Sequence, residues 1–347
     1  MSELRFDPIR KQWVVISPER GLRPPRHTHP PLHQPGDYCP FCPGNEDATP
    51  HVIRTISDTN DPQHAAWKIR VIANKFPALK VEGELERHSH GFHDMMTGIG
   101  AHEIIIETSD HDQHLPDLSI DHFHQLLNVY QERYKDLSHD TRLRYILLFK
   151  NHGFFSGSTV SHPHSQLIAT PITPTIVATK LSAALEHYHK KERCLFCDIL
   201  ENEIAEGERI VSMNEHFVAL CPYASRVPFE VHVLPRRHSH DFKTVGKMLM
   251  RSLAAFLRDV LARLRVGLDD PPYNMVIHSA PNTQSDHQRA GYWNSLSHDF
   301  HWHIEIQPHP PQLAGFEIGT GFFINPTPPE TAAGFLRKIP ASDVGES

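Results

Sequence analysis

The sequence holds no apolar run near the roughly 18 residues that a membrane-spanning helix requires. Its opening, "MSELRFDPIRKQWVV", lacks the apolar core of a secretory leader. A cytoplasmic chain with no membrane partner is the expectation. There is no basic excess either: 34 Lys and Arg stand against 41 Asp and Glu, a net charge of −7. Bulk attraction to nucleic acid or to an anionic bilayer is therefore not expected. Cysteine is scarce, with five residues, and without a leader they do not suggest a disulfide framework. Apolar residues at 39% and charged residues at 22% exclude a disordered chain, and 347 residues suffice for two domains of ordinary size.

What the chain has in abundance is histidine and proline, 29 of each. Most histidines read as loop surface, including "HTHPPLHQ", the segment Glu86 to His93, and "HDQH". Spacing lifts a few above that background. Four cysteines form two Cys-x-x-Cys pairs, "CPFC" at 39 and 42 and "CLFC" at 194 and 197. Each pair has histidines downstream, so both read as thiolate metal sites rather than redox motifs. Cys221, inside "FVALCPY", reads as a small buried hydrophobe.

The two pairs lie 194 − 39 = 155 residues apart, and the order of elements after each is the same. After "CPFC" come "WKIRVIANKFPAL", a strand-like "HEIIIET" leading to His111, and a helix marked by Phe123, Leu126, Leu127, Tyr130 and Tyr134. "YILLFKN", the loop "FFSGSTVS" and "SHPHSQLIAT" complete the first copy. The second runs through "CLFCDIL", "ERIVSMNEHFVALCPYAS" and "FEVHVLPRRH", then a helix marked by Leu249, Leu253, Phe256, Leu257, Val260 and Leu264. "YNMVIHSA" and "FHWHIEIQP" close it. The join is placed in Thr170 to Ser182, where prolines and threonines interrupt the pattern. The expected fold is α+β: two tandem units, residues 1–175 and 176–347, each a mainly antiparallel sheet with packed helices.

Two thiolates and two imidazoles satisfy a tetrahedral zinc ion. Cys39, Cys42, His111 and His162 form the first expected set. Cys194, Cys197, His238 and His301 form the second, with His240 as the alternative to His238. Zinc is the expected metal, two ions per chain, with iron or no ion the alternatives in the second site, which reads as structural. Two residues beyond His162, alternation along an extended strand sets His164 on the same face, beside the metal but not consumed by it. A neutral imidazole nitrogen can attack phosphorus, and Gln166 on that face can donate its amide protons to phosphate oxygens. The loop Phe154 to Ser161 carries a glycine and hydroxyls suited to phosphate contact.

At these residues the chain resembles the galactose-1-phosphate uridylyltransferase family of the histidine-triad superfamily. The resemblance rests on "RFDPIRKQWVVISPERGLRPP", "CPFCPGNE", "SDHDQHLPDLS", "FKNHGFFSGSTVSHPHSQ", "FHWHIEIQP" and "GFEIGTGFFINPTPPE", in that order over nearly the whole chain. It implies tandem histidine-triad domains in a homodimer and ping-pong transfer of UMP from UDP-glucose to galactose 1-phosphate. It implies His164 as the nucleophile and Gln166 as its partner, with the two metal sets just given. It further implies that Arg20 and Arg23 meet phosphate across the dimer interface and that Asn74 and Asn151 contact nucleotide and sugar. Gly157, Ser158 and Thr159 would form the phosphate loop, and Glu317 would contact the hexose. One departure matters: Ser165 stands where the family often has glycine. Serine there also occurs in relatives that act as ADP-glucose phosphorylases, so an adenylyl transfer through the same histidine is the alternative. Hydrolysis of dinucleotides is a third enzymatic reading. A non-catalytic tandem zinc module would be expected to carry a basic surface, which this chain lacks.

Overall fold

The structure is a computed structural model, and it describes residues 2–22, 38–57, 67–286, 293–309 and 314–340. Its centre is a ten-stranded sheet. In chain order the strands of the first half are β3 (Val52–Ser57), β4 (Trp67–Ala73), β7 (Ala101–Ile106), β8 (Tyr145–His152) and β9 (His164–Thr170). Those of the second half are β10 (Ile210–Met213), β11 (Phe217–Leu220), β12 (Val231–Pro235), β13 (Tyr273–His278) and β14 (His303–Pro308). The order across the sheet is β10-β11-β12-β14-β13-β8-β9-β7-β4-β3. Counted outward from the middle, each half runs fourth, fifth, third, second, first. The two halves are thus one topology used twice, joined by the antiparallel pair β8–β13 with Tyr273 opposite His152.

A small exposed hairpin, β5 (Arg87–His90) with β6 (His93–Met96), is inserted between β4 and β7. A separate three-stranded sheet joins β1 (Glu3–Asp7), β2 (Gln12–Ile16) and β15 (Phe323–Asn325), the last parallel to β2. Val14 and Ile16 pack there with Ala224 and Phe323, and Arg5 pairs with Glu330 at 2.7 Å. The first residues of the chain therefore lie against its second half.

Helices α1 (Ile120–Leu137) and α4 (Lys247–Leu268) share one face of the large sheet. Their apolar stripes, with Phe123, Tyr130 and Tyr134 from one and Leu253, Leu257 and Val260 from the other, bury Ile105, Leu167, Ile277 and Ile304 in one continuous core. Ser119 caps α1 by accepting the His122 amide (3.1 Å), whereas α4 starts at Gly246 with no side-chain cap.

On the other face, α2 (Thr175–Lys191) and α3 (Leu195–Glu206) cover the second half, where Val177, Leu181, Phe196 and Leu200 pack on Val218, Leu220 and Leu234. Over the first half, among the described residues, that face carries a small cluster of Cys39, Phe41, Trp67, Ile72, Ile104 and Ile106. Three short helices complete the described chain: α5 (Leu296–Asp299), α6 (Gly315–Thr320) and α7 (Pro329–Lys338).

The α+β tandem expectation holds, with three local corrections. The join is not irregular throughout, because α2 begins at Thr175, immediately after Pro174. Leu249 is exposed, and Met250 takes the buried place at the start of the α4 stripe. The strand with the two histidines starts at His164, while His162 sits in the bend before it. Cys221 is fully buried, as expected. No described helix is long and apolar enough to cross a membrane.

Candidate active site and metal centres

The ligand atoms of Cys39, Cys42, His111 and His162 all lie within 4.8 Å of one another, and so do those of Cys194, Cys197, His238 and His301. The two clusters share their geometry. Cys42 Sγ stands 3.3 Å from His111 Nδ1 and 3.5 Å from His162 Nδ1. Cys197 Sγ stands 3.4 Å from His238 Nδ1 and 3.5 Å from His301 Nδ1. His238 occupies this place, and His240 is not part of the group.

The far nitrogens fix the tautomers. His162 Nε2 donates to the Thr108 carbonyl (2.8 Å), His238 Nε2 to that of Ser297 (2.9 Å) and His301 Nε2 to that of Pro235 (3.0 Å). His111 Nε2 meets Ser161 Oγ at 2.9 Å. The three carbonyl-held rings must then carry their proton on Nε2, which turns the Nδ1 lone pair toward the thiols. The hydrogen bond from Cys197 holds the Cys194 thiol low, and Cys197 is pushed up in return. Two soft thiolates and two oriented imidazole nitrogens are the donor set of a tetrahedral metal ion.

His164 opens β9. Its Nδ1 donates to the His162 carbonyl (2.8 Å), so the lone pair sits on Nε2. Phe41 from "CPFC" presents an edge to the ring at 5.5 Å between centroids. Burial, above all, lowers the His164 pKa from its ordinary value. Residues 164 and 166 share one face of β9, and Ser165, Leu167 and Ala169 face the helices. Gln166 Oε1 accepts from His102 Nε2 (2.9 Å), whose Nδ1 in turn accepts the Ala78 amide (3.2 Å). That leaves the Gln166 amide protons for another acceptor. Asn74 stands 3.0 Å from the same His102 nitrogen.

Asn151, at the end of β8, accepts from Asn274 Nδ2 (2.8 Å), and that amide also donates to the Ser156 carbonyl (2.9 Å). The loop after β8 turns at Gly153 and Gly157, with φ of 78° and 89°. A side chain at Gly153 would also press on Pro272 at 3.0 Å. Gly157 lies against Asn151, Ser158 Oγ donates to the Val160 carbonyl (2.8 Å), and Thr159 is exposed. The chain thus brings His164, Gln166 and Asn74 together, and the loop glycine to Asn151.

Other sequence-selected residues lie apart. Arg20 is exposed in a 3-10 turn, Pro18–Leu22, and Glu317 Oε2 accepts the Ala314 amide (3.2 Å), capping α6. Arg23 lies outside the described residues. His114, expected on the surface, is half-buried edge-on to His152 (4.7 Å), and burial lowers its pKa to about 4.

The matching place in the second half is filled by charge. By register, Glu305 corresponds to Gln166 and His303 to His164. Lys180 Nζ, from α2, lies 3.0 Å from His303 Nε2 and pairs with Glu305. Arg10 reaches Glu230 (2.8 Å), Glu305 (2.7 Å) and Asp7 (3.2 Å). His278 stacks on His303 at 4.9 Å. Burial opposes charge on Glu305, but Arg10 and Lys180 outweigh it and hold the carboxyl well below its usual range. Burial also brings Lys180 down to about 8 and His278 to about 4. Two triads that share Glu305, one with His278 and His303 and one with Glu230 and His232, are each close enough to hold a cation, yet Lys180 and Arg10 already supply the positive charge there. The sequence reading missed this cluster, although an Arg at position 10 and a Lys in the join were its visible signs.

An α+β tandem sheet with paired Cys2His2 clusters and a strand-borne histidine beside one of them defines a class of nucleotidyl-transferring proteins. The chain belongs to the galactose-1-phosphate uridyl transferase family, whose N-terminal domain matches residues 1–174 and whose C-terminal domain matches residues 181–320. It is 32% identical to an ADP-glucose phosphorylase of Arabidopsis thaliana, over 97% of this chain and 93% of that one. It is 31% identical to a galactose-1-phosphate uridylyltransferase of Thermotoga maritima, over 97% and 98%. The solved structure of an Arabidopsis thaliana ADP-glucose phosphorylase with bound ADP-glucose superposes with a TM-score of 0.81 at 30% identity, covering 98% of this chain and 99% of that one.

Proposed function

We propose that the protein transfers UMP from UDP-glucose to galactose 1-phosphate in two displacements at His164. In the first, Nε2 attacks the α-phosphorus, an N–P bond forms, and the bond to the β-phosphate oxygen breaks, releasing glucose 1-phosphate. In the second, a phosphate oxygen of galactose 1-phosphate attacks the same phosphorus and the N–P bond breaks. The observation that carries this reading is the His164 Nδ1 bond to the His162 carbonyl (2.8 Å), which fixes the tautomer with Nε2 as the attacking nitrogen. The Gln166 amide protons meet the non-bridging oxygens as charge develops on them.

The same reading assigns Asn74 and Asn151 to nucleotide and sugar, and Gly157, Ser158 and Thr159 to phosphate. Arg20 and Arg23 serve a partner's phosphates in a homodimer, and Glu317 serves the hexose. Cys39, Cys42, His111 and His162 hold one zinc ion, and Cys194, Cys197, His238 and His301 a second. Zinc supplies the charge that keeps both thiolates of a pair ionised and the four donors in place. The tandem division falls near residue 175, and the enzyme works in the cytoplasm.

A second reading, adenylyl transfer from ADP-glucose, is favoured by the 32% identity to the plant phosphorylase and by Ser165. Intact-protein mass after brief exposure to UDP-glucose or ADP-glucose separates the two. An added UMP on wild type, absent from His164→Gly, is the expected result. An added AMP alone selects the second reading, and no adduct with either sugar nucleotide rejects covalent transfer.

A further inference from the structure

Behind His164, on the helix side of the sheet, lies a polar group that the fold does not require. Lys150 and Glu107 are almost fully buried and pair at 2.6 Å. Glu107 Oε1 accepts from Ser165 Oγ (2.5 Å) and from Tyr130 (3.1 Å), and the two hydroxyls meet at 2.7 Å. Lys150 Nζ also donates to the backbone carbonyl of His164, at 3.3 Å. Each of these residues sits one position from, or directly behind, the histidine that faces the site.

The second half shows what the same topology does without that group. By register, Lys150 corresponds to Ile277, Ser165 to Ile304 and Glu107 to Pro235, and both isoleucines are fully buried. Packing α4 on β13 and β14 therefore needs only apolar residues at these places. A second difference accompanies the first. The β13–β14 register runs through His278 opposite His303, but the β8–β9 register ends at Phe149 opposite Gln166. On its β8 side the first-half ladder parts just before His164, while on its β7 side His164 stays paired with Ile106, and the Lys150 ammonium reaches the carbonyl at the β8 parting.

From the two differences together we infer that Lys150, clamped by Glu107, is a positioning residue that holds the His164 backbone on its β8 side, where that ladder has opened. This rests on the reading of His164 as the attacking nitrogen. It also gives Ser165 a place: its hydroxyl points away from the site and into the Lys150–Glu107 group, so it acts on the nucleophile through that group. A buried ion pair of this kind seldom adds stability over an apolar pair of equal volume, which makes its presence in one half only the more telling.

The test pairs Lys150→Met with Glu107→Gln, which removes both charges and leaves neither uncompensated. Single-turnover labelling of the protein by the sugar nucleotide is the main readout. Steady-state kcat and KM, metal content and the urea midpoint are measured alongside it. The expected result is a protein with wild-type metal and near wild-type midpoint that labels about 10- to 100-fold more slowly, with KM for the sugar nucleotide little changed. Lys150→Arg, which keeps a donor in reach, should recover part of the rate. Wild-type labelling by the double variant overturns the inference and leaves the nucleophile reading intact. Absence of any His164 adduct on wild type overturns both. Should the double variant not fold, Lys150→Gln, which lacks the ammonium and is one atom shorter, is the second test. The same slow labelling is expected of it, and wild-type labelling by it overturns the inference equally.

Discussion

The two halves of the sheet place the same metal-type cluster at the same end of the same strand, and then diverge in where they bury charge. The first half buries it behind the strand, on the helix side, as Lys150 and Glu107, and leaves His164, Gln166 and His102 facing outward. The second half is apolar behind the strand and buries charge in front of it, where Lys180, Arg10, Glu230 and Glu305 close over His303. A duplicated fold can thus keep one topology in both copies and bury charge on opposite faces of it. The difference lies in a handful of polar residues rather than in topology. The connecting helix α2 takes part, because Lys180 comes from it.

The comparison breaks most visibly at the metals. Removing metal with a strong chelator should destabilise the chain by up to about 10 kcal/mol per structural ion, read as a fall in the urea or thermal midpoint. His162→Asn and His301→Asn should each lower metal content by one ion per chain, but only His162→Asn should take catalysis with it. Equal loss of activity in both would erase the distinction between the halves. Next in size is the paired substitution His164→Gly against His303→Gly. The first should cut turnover by roughly 10^4-fold or more with metal retained, and the second should leave turnover per folded chain within a few-fold.

Smaller again is Lys180→Met, which strips a cation from Glu305 and His303. A stability loss of about 3 kcal/mol is expected, by urea unfolding, with activity unchanged. A gain in stability would mean that the second-half cluster is not held together by its own charges. The smallest effect separates the two helix starts. Ser119→Ala should cost about 1 kcal/mol, whereas Gly246→Ala, which removes no side-chain cap and has open space around it, should cost less.

Much of this was legible in the residues. The repeat of Cys-x-x-Cys, helix and His-x-His fixed two α+β units, because thiolate pairs and helical stripes leave periodic marks. Both clusters assembled from the residues selected by spacing, with His238 rather than its alternative His240 in the second. The single continuous sheet was not legible, since the β8–β13 pairing joins strands more than 120 residues apart and leaves no local sign. Nor was the Lys150–Glu107 pair. Each residue showed as one charge at the edge of an apolar run, "YILLFKN" and "HEIIIET", and only the structure sets them face to face. His102 was missed for the same reason, being one histidine among 29 until Gln166 was seen beside it.

The seam between β8 and β13 also matters before the chain is complete. As it leaves the ribosome, Tyr145–His152 is made 278 − 152 = 126 residues before the strand that covers its edge ends at His278. At ordinary rates of synthesis that is a wait of roughly 6 to 25 s. Throughout it, an eight-residue strand rich in isoleucine, leucine and phenylalanine offers unpaired backbone to any other nascent chain, so one buried contact in the finished molecule is, during translation, an open template for aggregation.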